Sequence, residues 1–323
     1  MTWTRTTRIK AWAELLRLPA LFTVPGDALA GAAAAGATRP NSGTLLAIGS
    51  SLCLYEAGMA LNDWADQAED AVERPQRPLP SGRVRPASAL AAAGALTAAG
   101  LALAARAGRP AFTVALPLAA TVWSYDLTLK RTPSGPLSMA AARTLDLLLG
   151  AAATTGTTRA ALPSALALGA HTFAVTTVSR RETQGGSSLA PLVGLATTGA
   201  LTWRLAREPG PGSGPAPDAT GPVRRLTATN PTGTPNPAVP ARPAAVLCSA
   251  LAATYAATTA LPLFHATLNP SPPLTQRAVG SGIRALIPLQ AALTARAGAP
   301  GMALFTAALA PAARSFARKV SIT

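Results

Sequence analysis

The sequence predicts an all-α fold: a polytopic membrane helix bundle of about nine transmembrane helices, in a single domain over residues 1–323. Hydrophobic residues make up 49% of the chain. Charged residues make up only 13%, about half of what a soluble domain carries. The mean hydropathy is +0.28, and apolar runs of membrane length recur along the chain. This composition excludes a soluble enzyme, and it excludes a disordered chain because the apolar content is too high.

Nine apolar runs approach the roughly 20 residues that a bilayer-spanning helix needs. In chain order they are 12–36, 43–62, 87–105, 110–125, 137–155, 160–178, 188–205, 244–265 and 279–297. A tenth run, 302–316, is short and ends among Arg314, Arg318 and Lys319. It is compatible with a further span or with a helix that lies in the membrane interface.

One segment between the apolar runs lacks the composition of a membrane helix. Residues 209–243 are crowded with Pro, Gly, Thr and Ser and have little apolar content. Such a composition is typical of a flexible chain. We therefore predict that 209–243 is a linker between the seventh and eighth helices.

The chain is strongly basic, with 28 Lys and Arg against 13 Asp and Glu. In a soluble protein this excess would indicate nucleic acid. Here the basic residues are scattered between apolar runs, as in membrane-flanking loops, so we expect a lipid bilayer and no nucleic acid as partner. Cys53 and Cys248 lie inside apolar runs without zinc spacing, and we expect both to be inert core residues.

Basic residues also predict the orientation. With the amino terminus in the cytoplasm, the richer set of basic loops faces the cytoplasm. That set comprises Arg74, Arg77, Arg83, Arg85, Lys130, Arg131, Arg180 and Arg181. The opposite loops carry fewer basic residues: Arg39, Arg106, Arg109 and Arg159. We therefore predict a multi-pass protein of the plasma membrane with its functional loops on the cytoplasmic side.

The acids are few and concentrated. Six of the 13 lie between positions 56 and 73, in the last part of the second apolar run and directly beyond it: Glu56, Asp63, Asp66, Glu69, Asp70 and Glu73. At 100° per residue these side chains share one face of one helix, which Pro75 and Pro78 are expected to end. His171 lies within an apolar run, where a satisfied core histidine is expected. Asp146 is expected to pair with Arg143, three residues before it.

Carboxylates that share one face of a helix repel one another. Ionisable residues at a membrane are candidates for a functional role. Mg²⁺ is the natural neutralising ion, because it takes carboxylate oxygens and bridges to phosphate oxygens. A solvated helix end with Arg74 and Arg77 as counterions is the alternative. The pattern Asn-Asp-x-x-Asp-x-x-x-Asp from Asn62, followed by Arg-Pro-x-Arg-Pro-Leu-Pro-Ser-Gly, favours the metal site.

The string NDWADQAEDAVERPQRPLPSGRV, 62–84, resembles the first aspartate-rich motif of the UbiA superfamily of intramembrane prenyltransferases. YDLTLKR, 125–131, is similar to that family's Tyr-x-x-x-x-Lys segment, and PLSMAAARTLDLLLGA more weakly resembles the start of its fifth helix. The resemblance implies an all-helical fold, usually with nine transmembrane helices. It also implies that a polyprenyl diphosphate is bound through Mg²⁺ and that its prenyl group is transferred to an aromatic or other lipophilic acceptor.

The second acidic motif of the family differs here. Where two acids usually follow the sixth helix, the chain has HTFAVTTVSRRETQGGSS, with Glu182 as its one acid. Arg180 and Arg181 are therefore candidates for direct contact with the diphosphate. The resemblance implies the following candidates: Asn62, Asp63, Asp66, Asp70 and Glu182 as metal ligands, Arg77, Arg180 and Arg181 as diphosphate contacts, and Lys130, Tyr125 and Arg143 as catalytic residues. For Tyr125, anchoring at the membrane interface is an equal alternative.

Three other functions compete with prenyl transfer. An intramembrane terpene cyclase would share the fold and the ionisation step, and would act on the isoprenyl diphosphate without an acceptor. A transporter would place its acids near mid-membrane, whereas most acids here lie at one helix end. A CDP-alcohol phosphotransferase would need Asp-Gly and Ala-Arg elements that this stretch lacks.

Overall fold

The computed structural model describes residues 5–182, 185–207 and 243–320. Throughout these ranges the regular secondary structure is helical, which confirms the predicted fold class. In chain order the α-helices are α1 Arg5–Leu15, α2 Val24–Ala34, α3 Ser42–Ala65, α4 Gln67–Glu73, α5 Pro86–Ala107, α6 Arg109–Leu127, α7 Gly135–Thr155, α8 Leu162–Ser179, α9 Leu189–Ala206, α10 Pro243–Leu268, α11 Pro272–Arg296 and α12 Pro300–Val320. The expected linker, 209–243, lies outside the described residues except for its last position, so it stays a prediction.

Five segments of the described chain are long and apolar enough to cross a membrane. They are Ser42–Ala65, Pro86–Ala107, Arg159–Ser179, Ala244–Leu268 and Pro272–Arg296. The runs 110–125, 137–155 and 188–205 also form helices, as α6, α7 and α9. The expected number of about nine spans is not confirmed by this measure and stays a prediction.

The first apolar run, 12–36, is not one continuous helix, and the expectation of a single uninterrupted helix there is wrong. Helix α1 ends at Leu15, a 3-10 helix covers Leu18–Thr23, and α2 has only 11 residues. Between the first two, Arg17 adopts a left-handed backbone conformation with φ 47°. Pro19 and Pro25 lie in the first turns of the elements that follow, where their missing N–H groups need no partner.

The acid-bearing helix is also interrupted. Helix α3 ends at Ala65, Asp66 has φ −94° and ψ 6°, and α4 begins at Gln67. The prediction of one unbroken helix is therefore wrong at Asp66. Its backbone N–H still donates to the Asn62 carbonyl at 3.0 Å, so the chain keeps its direction across the break. Helix α4 ends at Glu73, before Pro75, because the residue preceding a proline disfavours the helical conformation.

Helices α2 and α7 cross at the centre of the bundle with their backbones in close contact. A Cβ at Gly31 of α2 would lie 1.9 Å from the Leu147 carbonyl oxygen, and one at Gly150 of α7 would lie 2.4 Å from the Ala28 carbonyl oxygen. Small residues permit such close helix contacts in membrane proteins. The apolar core lies on both sides of this crossing. One cluster joins α2 and α7 to α3, α5 and α6, and the other joins them to α8, α9, α10 and α11.

Candidate active site

The end of α3 meets the turn after α6. Lys130, in a 3-10 helix Leu129–Arg131, places its Nζ 2.7 Å from Asp66 Oδ1 and donates to Asn62 Oδ1 at 3.2 Å. Arg131 donates to Asp66 Oδ1 at 3.0 Å and to Glu69 Oε2 at 2.9 Å. The first motif and the Tyr-x-x-x-x-Lys segment, more than 60 residues apart in sequence, therefore form one charged cluster.

A second charged cluster lies around Arg77. Its Nη1 donates to Asp70 Oδ2 at 2.7 Å and lies 3.5 Å from Asp63 Oδ1. Arg17 donates to the same Asp63 oxygen at 3.1 Å. The side chains of Asp63 and Asp70 are only 6% and 5% exposed. Burial of these carboxylates is compensated because each accepts charge-assisted hydrogen bonds from arginine.

The single stack of acids predicted from the sequence is therefore two clusters. At 100° per residue Asp63 and Asp70 lie about 20° apart, and both face Arg77. Asn62 and Asp66 lie about 40° apart on the adjacent part of the same helix face, and both face Lys130. In each cluster one cation, Lys130 or Arg77, lies between two oxygen-bearing side chains, and a further arginine, Arg131 or Arg17, contacts one of the same acids.

The segment after α8 lies against the Lys130 turn. Arg180 donates from Nη1 to the carbonyl oxygen of Thr132 at 2.5 Å and to that of Lys130 at 3.5 Å. A Cβ on Gly135, the first residue of α7, would lie 3.1 Å from this Nη1. Arg180 thus joins the altered second motif to the Lys130 turn. Arg181 is exposed and Glu182 is half-buried, and their contacts with a ligand stay predictions.

Arg143 forms its ion pair across the bundle. Its Nη1 donates to Asp27 Oδ2 at 2.5 Å, and Gln290 Nε2 donates to Asp27 Oδ1 at 2.6 Å. Asp146 instead accepts a hydrogen bond from the Ser51 hydroxyl. The expected pairing of Arg143 with Asp146 is therefore replaced by one with Asp27, which is fully buried. Any role of Arg143 toward the diphosphate stays a prediction.

Two further expectations concern single residues. His171 is buried, with Nδ1 3.0 Å from Tyr255 Oη and Nε2 3.0 Å from the Gly282 carbonyl oxygen. Both ring nitrogens are satisfied, so the expectation of a core histidine is confirmed. Tyr125 lies in the last turn of α6 and is half-buried. This position is compatible with a catalytic role and with anchoring at the membrane interface.

Arg17 is a member of the Asp63 cluster that the sequence did not predict. It joins the Asp63 cluster while holding a positive φ, a conformation that is costly for a residue with a side chain and is found preferentially at functional sites. A signal was present in the sequence, because Arg17 is a basic residue inside the apolar run 12–36. It was overlooked because the run was treated as one uniform span.

The oxygen atoms of the cluster around Lys130 suit a magnesium ion. Within the part of the chain that the structure describes, no three His, Cys, Asp or Glu side chains are grouped closely enough to hold a metal by themselves. Mg²⁺ needs only one or two protein carboxylates when phosphate oxygens and waters complete its shell. Asn62 Oδ1 and Asp66 Oδ1 already converge on one cation, the Lys130 ammonium. These two residues therefore fit Mg²⁺ together with a phosphate ligand.

Part of the chain is similar to digeranylgeranylglyceryl phosphate synthases. The synthase of Methanopyrus kandleri is 35% identical over 130 residues, which are 39% of this chain and 46% of that protein. The synthase of Methanothrix thermoacetophila is 40% identical over 79 residues, 24% of this chain and 29% of that protein. The matched regions thus span about half or less of these relatives.

Solved structures share the fold over nearly their whole length. A UbiA homologue from Aeropyrum pernix K1 has a TM-score of 0.59 at 18% identity, covering 84% of this chain and 96% of that one. A UbiA homologue from Archaeoglobus fulgidus, bound to GPP and Mg²⁺, has a TM-score of 0.53 at 15% identity, covering 90% and 99%. The sequence model of the UbiA prenyltransferase family matches residues 24–203, more than half of the chain. The chain belongs to the UbiA prenyltransferase family.

Proposed function

We propose that this chain is a Mg²⁺-dependent intramembrane prenyltransferase. It ionises an isoprenyl diphosphate and transfers the prenyl group to an aromatic or other small lipophilic acceptor. The observation that carries the proposal is the pair of clusters at the end of α3, where carboxylate oxygens suited to Mg²⁺ lie beside cations suited to phosphate. Membership of the UbiA prenyltransferase family supports it.

Ionisation of an allylic diphosphate requires that the leaving charge be stabilised where it develops. Mg²⁺, when bound, supplies part of this stabilisation at the diphosphate oxygens. We assign the metal to Asn62, Asp66 and Asp70, with Asp63 and Glu182 as further ligands. Lys130 and Arg77, already poised beside these acids, hold the diphosphate.

The remaining candidates complete the site. Arg180 and Arg181 approach the diphosphate from the segment after α8, where a guanidinium can bind phosphate oxygens bidentately. Arg143 and Tyr125 lie on α7 and α6, which both pack against α3. Apolar side chains of the bundle, including Leu54 and Leu149, keep water from the allylic cation.

The relatives favour transfer over cyclisation. They are named digeranylgeranylglyceryl phosphate synthases, and a structural neighbour holds GPP together with Mg²⁺. The chain is an integral membrane protein, as its family and its long apolar helices indicate. We further propose that it lies in the plasma membrane with the acid clusters on the cytoplasmic side. This rests on the excess of basic residues in the loops of that side.

Turnover by the purified protein in liposomes tests the proposal. Geranyl, farnesyl and geranylgeranyl diphosphate are each supplied with Mg²⁺, alone, with geranylgeranylglyceryl phosphate, or with 4-hydroxybenzoate. We expect a prenylated acceptor, detected by mass spectrometry, and no new hydrocarbon without acceptor. Formation of a hydrocarbon from the diphosphate alone would favour the cyclase. Failure to consume any of the three diphosphates would overturn both.

A further inference from the structure

Glu56 differs from the other acids of α3. It is only 7% exposed, and neither carboxylate oxygen has a hydrogen-bond partner among the described residues. Asp63, on the same helix, and Asp66, directly after its end, are both paired with cations. Burial of a carboxylate without a partner is costly, and an unsatisfied buried polar group in a native structure calls for an explanation. A ligand that occupies the site and donates a hydrogen or a proton would provide one.

The position of Glu56 suggests which part of a ligand it meets. It precedes Asp63 by seven residues, which places it about 20° away around the helix and about 10 Å along its axis. It therefore shares the face of Asp63 but lies two turns farther into the candidate span Ser42–Ala65. A prenyl diphosphate held by its head group at the end of α3 would extend its reactive carbon and chain in this direction.

We propose that Glu56 is the base of the reaction, accepting the proton that the acceptor loses when it is prenylated. The inference rests on the proposed function. The allylic C–O bond breaks and both of its electrons leave on the diphosphate. An electron pair of the acceptor forms the new bond to the prenyl carbon. The displaced proton moves to a carboxylate oxygen of Glu56 and is later returned to water.

The neighbouring acids are less suited to this role. Asp63 is held by Arg17 and Arg77, and two neighbouring cations favour the ionised form of a carboxylate, which makes it a poor proton acceptor. Asp27 is held in the same way by Arg143. Asp126 approaches α3 at Gly58, about 40° around the helix from Asn62, and interacts with the charge of Lys130, so it belongs with the charged cluster at the end of α3.

The variant Glu56→Gln tests the proposal, because it keeps the shape and hydrogen-bonding reach of the side chain but removes the base. Binding of farnesyl thiolodiphosphate, a slowly ionising probe, is measured with Mg²⁺ by calorimetry. Transfer is measured with geranylgeranyl diphosphate and geranylgeranylglyceryl phosphate. We expect an unchanged Kd and unchanged KM for the diphosphate, and a kcat lower by about a hundredfold, as for loss of a general base.

Glu73→Gln is the matched control. It makes the same chemical change at an exposed position of α4, and transfer should stay at the wild-type rate. Glu56→Asp keeps a carboxylate that is one methylene shorter, and its kcat should lie between those of wild type and Glu56→Gln. If Glu56→Gln cannot be purified in a folded form, Glu56→Asp tests the proposal by itself. Its kcat is expected to be about tenfold lower than that of the wild-type protein, at an unchanged KM.

The inference is overturned if Glu56→Gln, or Glu56→Asp in its place, transfers at the wild-type rate. It is also overturned if transfer falls only in proportion to a weakened Kd, because that result indicates a structural role. A wild-type protein that binds the thiolodiphosphate but prenylates neither acceptor overturns the proposed function, and the role of Glu56 with it. If the wild-type protein transfers the prenyl group and Glu56→Gln does so at the same rate, the inference fails and the proposed function stands.

Discussion

Lys130 and Arg77 each hold two oxygen-bearing side chains of the first motif together. Lys130 contacts Asn62 and Asp66, and Arg77 contacts Asp63 and Asp70. In the absence of substrate, these cations neutralise the acids that would otherwise repel one another. When one acid is removed, its cation loses one of its oxygen-bearing partners. We therefore expect ligand binding and local order to depend on every residue of the cluster.

We expect Asp66→Ala and Asp70→Ala each to lower prenyl-transfer turnover by about a hundredfold or more, because each removes an oxygen from the site where charge must be stabilised. Turnover per folded protein is measured after purification in detergent, with size-exclusion profiles to confirm folding. Glu73→Gln should behave as wild type. Full activity in either alanine variant would remove these acids from the site.

Arg180→Lys and Arg181→Lys distinguish a role in the site from a role in topology, because both keep the positive charge and lose the guanidinium fork. We expect turnover to fall about tenfold in each, the loss typical of removing a supporting contact. For Arg180 the reason is its bond to the Thr132 carbonyl beside Lys130. Arg204→Lys, at an exposed position on α9, is the control. Wild-type turnover in both variants would show that they serve only topology.

Spacing was enough to predict that Asn62 and Asp66 share a helix face, because four-residue spacing on a helix is a local property, whereas Lys130 was expected at the same site only from the family resemblance of YDLTLKR. The pairing of Arg143 with Asp27 could not be predicted in this way. The two residues are 116 positions apart, and only the crossing of α2 and α7 brings them together. Arg17 was missed for a related reason, since its role depends on a backbone turn within an apolar run.

At the scale of helices, hydropathy locates segments but does not locate breaks inside them. The run 12–36 and the acid-bearing helix were both predicted to be continuous, and both are interrupted. In each case the interruption falls at a single charged residue, Arg17 or Asp66, with a non-helical backbone conformation. Averaging over a window of about 20 residues conceals such a position, because the residues on both sides remain helical.

The crossing of α2 and α7 should tolerate no added side chain. Gly150→Ala introduces a Cβ that would lie 2.4 Å from the Ala28 carbonyl oxygen, so one helix must shift. We expect destabilisation of about 1–3 kcal/mol, measured as a lower Tm in detergent. Gly94→Ala is the matched control, because a Cβ on Gly94 of α5 has no atom within 4 Å. Equal Tm values for the two variants would contradict the close contact.

For the whole molecule, the charged clusters and the apolar core are distributed differently. The acids of both clusters lie on α3, on α4 and at the break between them, in the amino-terminal half. The core extends through both halves, because α2 and α7 take part in the cluster on each side. Arg180 provides the described link by which the segment after α8 contacts the Lys130 turn. The fold class and the order of helices followed from hydropathy, whereas this link depends on three-dimensional packing.

Residues 209–243 are predicted to be dispensable. Their composition leaves little apolar surface to bury, and loop-closure entropy depends only weakly on length. Replacement of the segment by about ten Gly and Ser residues should leave turnover and Tm unchanged. Loss of turnover with normal yield and a normal Tm would indicate that the segment contacts the site or a partner.

The central claim is that the acids at the end of α3 bind a prenyl diphosphate through Mg²⁺. Calorimetric titration of the wild-type protein with farnesyl thiolodiphosphate, in Mg²⁺ and in EDTA, tests it without requiring turnover or an acceptor. We predict that the wild-type protein binds the thiolodiphosphate at least about tenfold more weakly in EDTA than in Mg²⁺. We also predict that Asp66→Asn binds it equally weakly in both. The same affinity for the wild-type protein in Mg²⁺ and in EDTA, retained in Asp66→Asn, would contradict the claim.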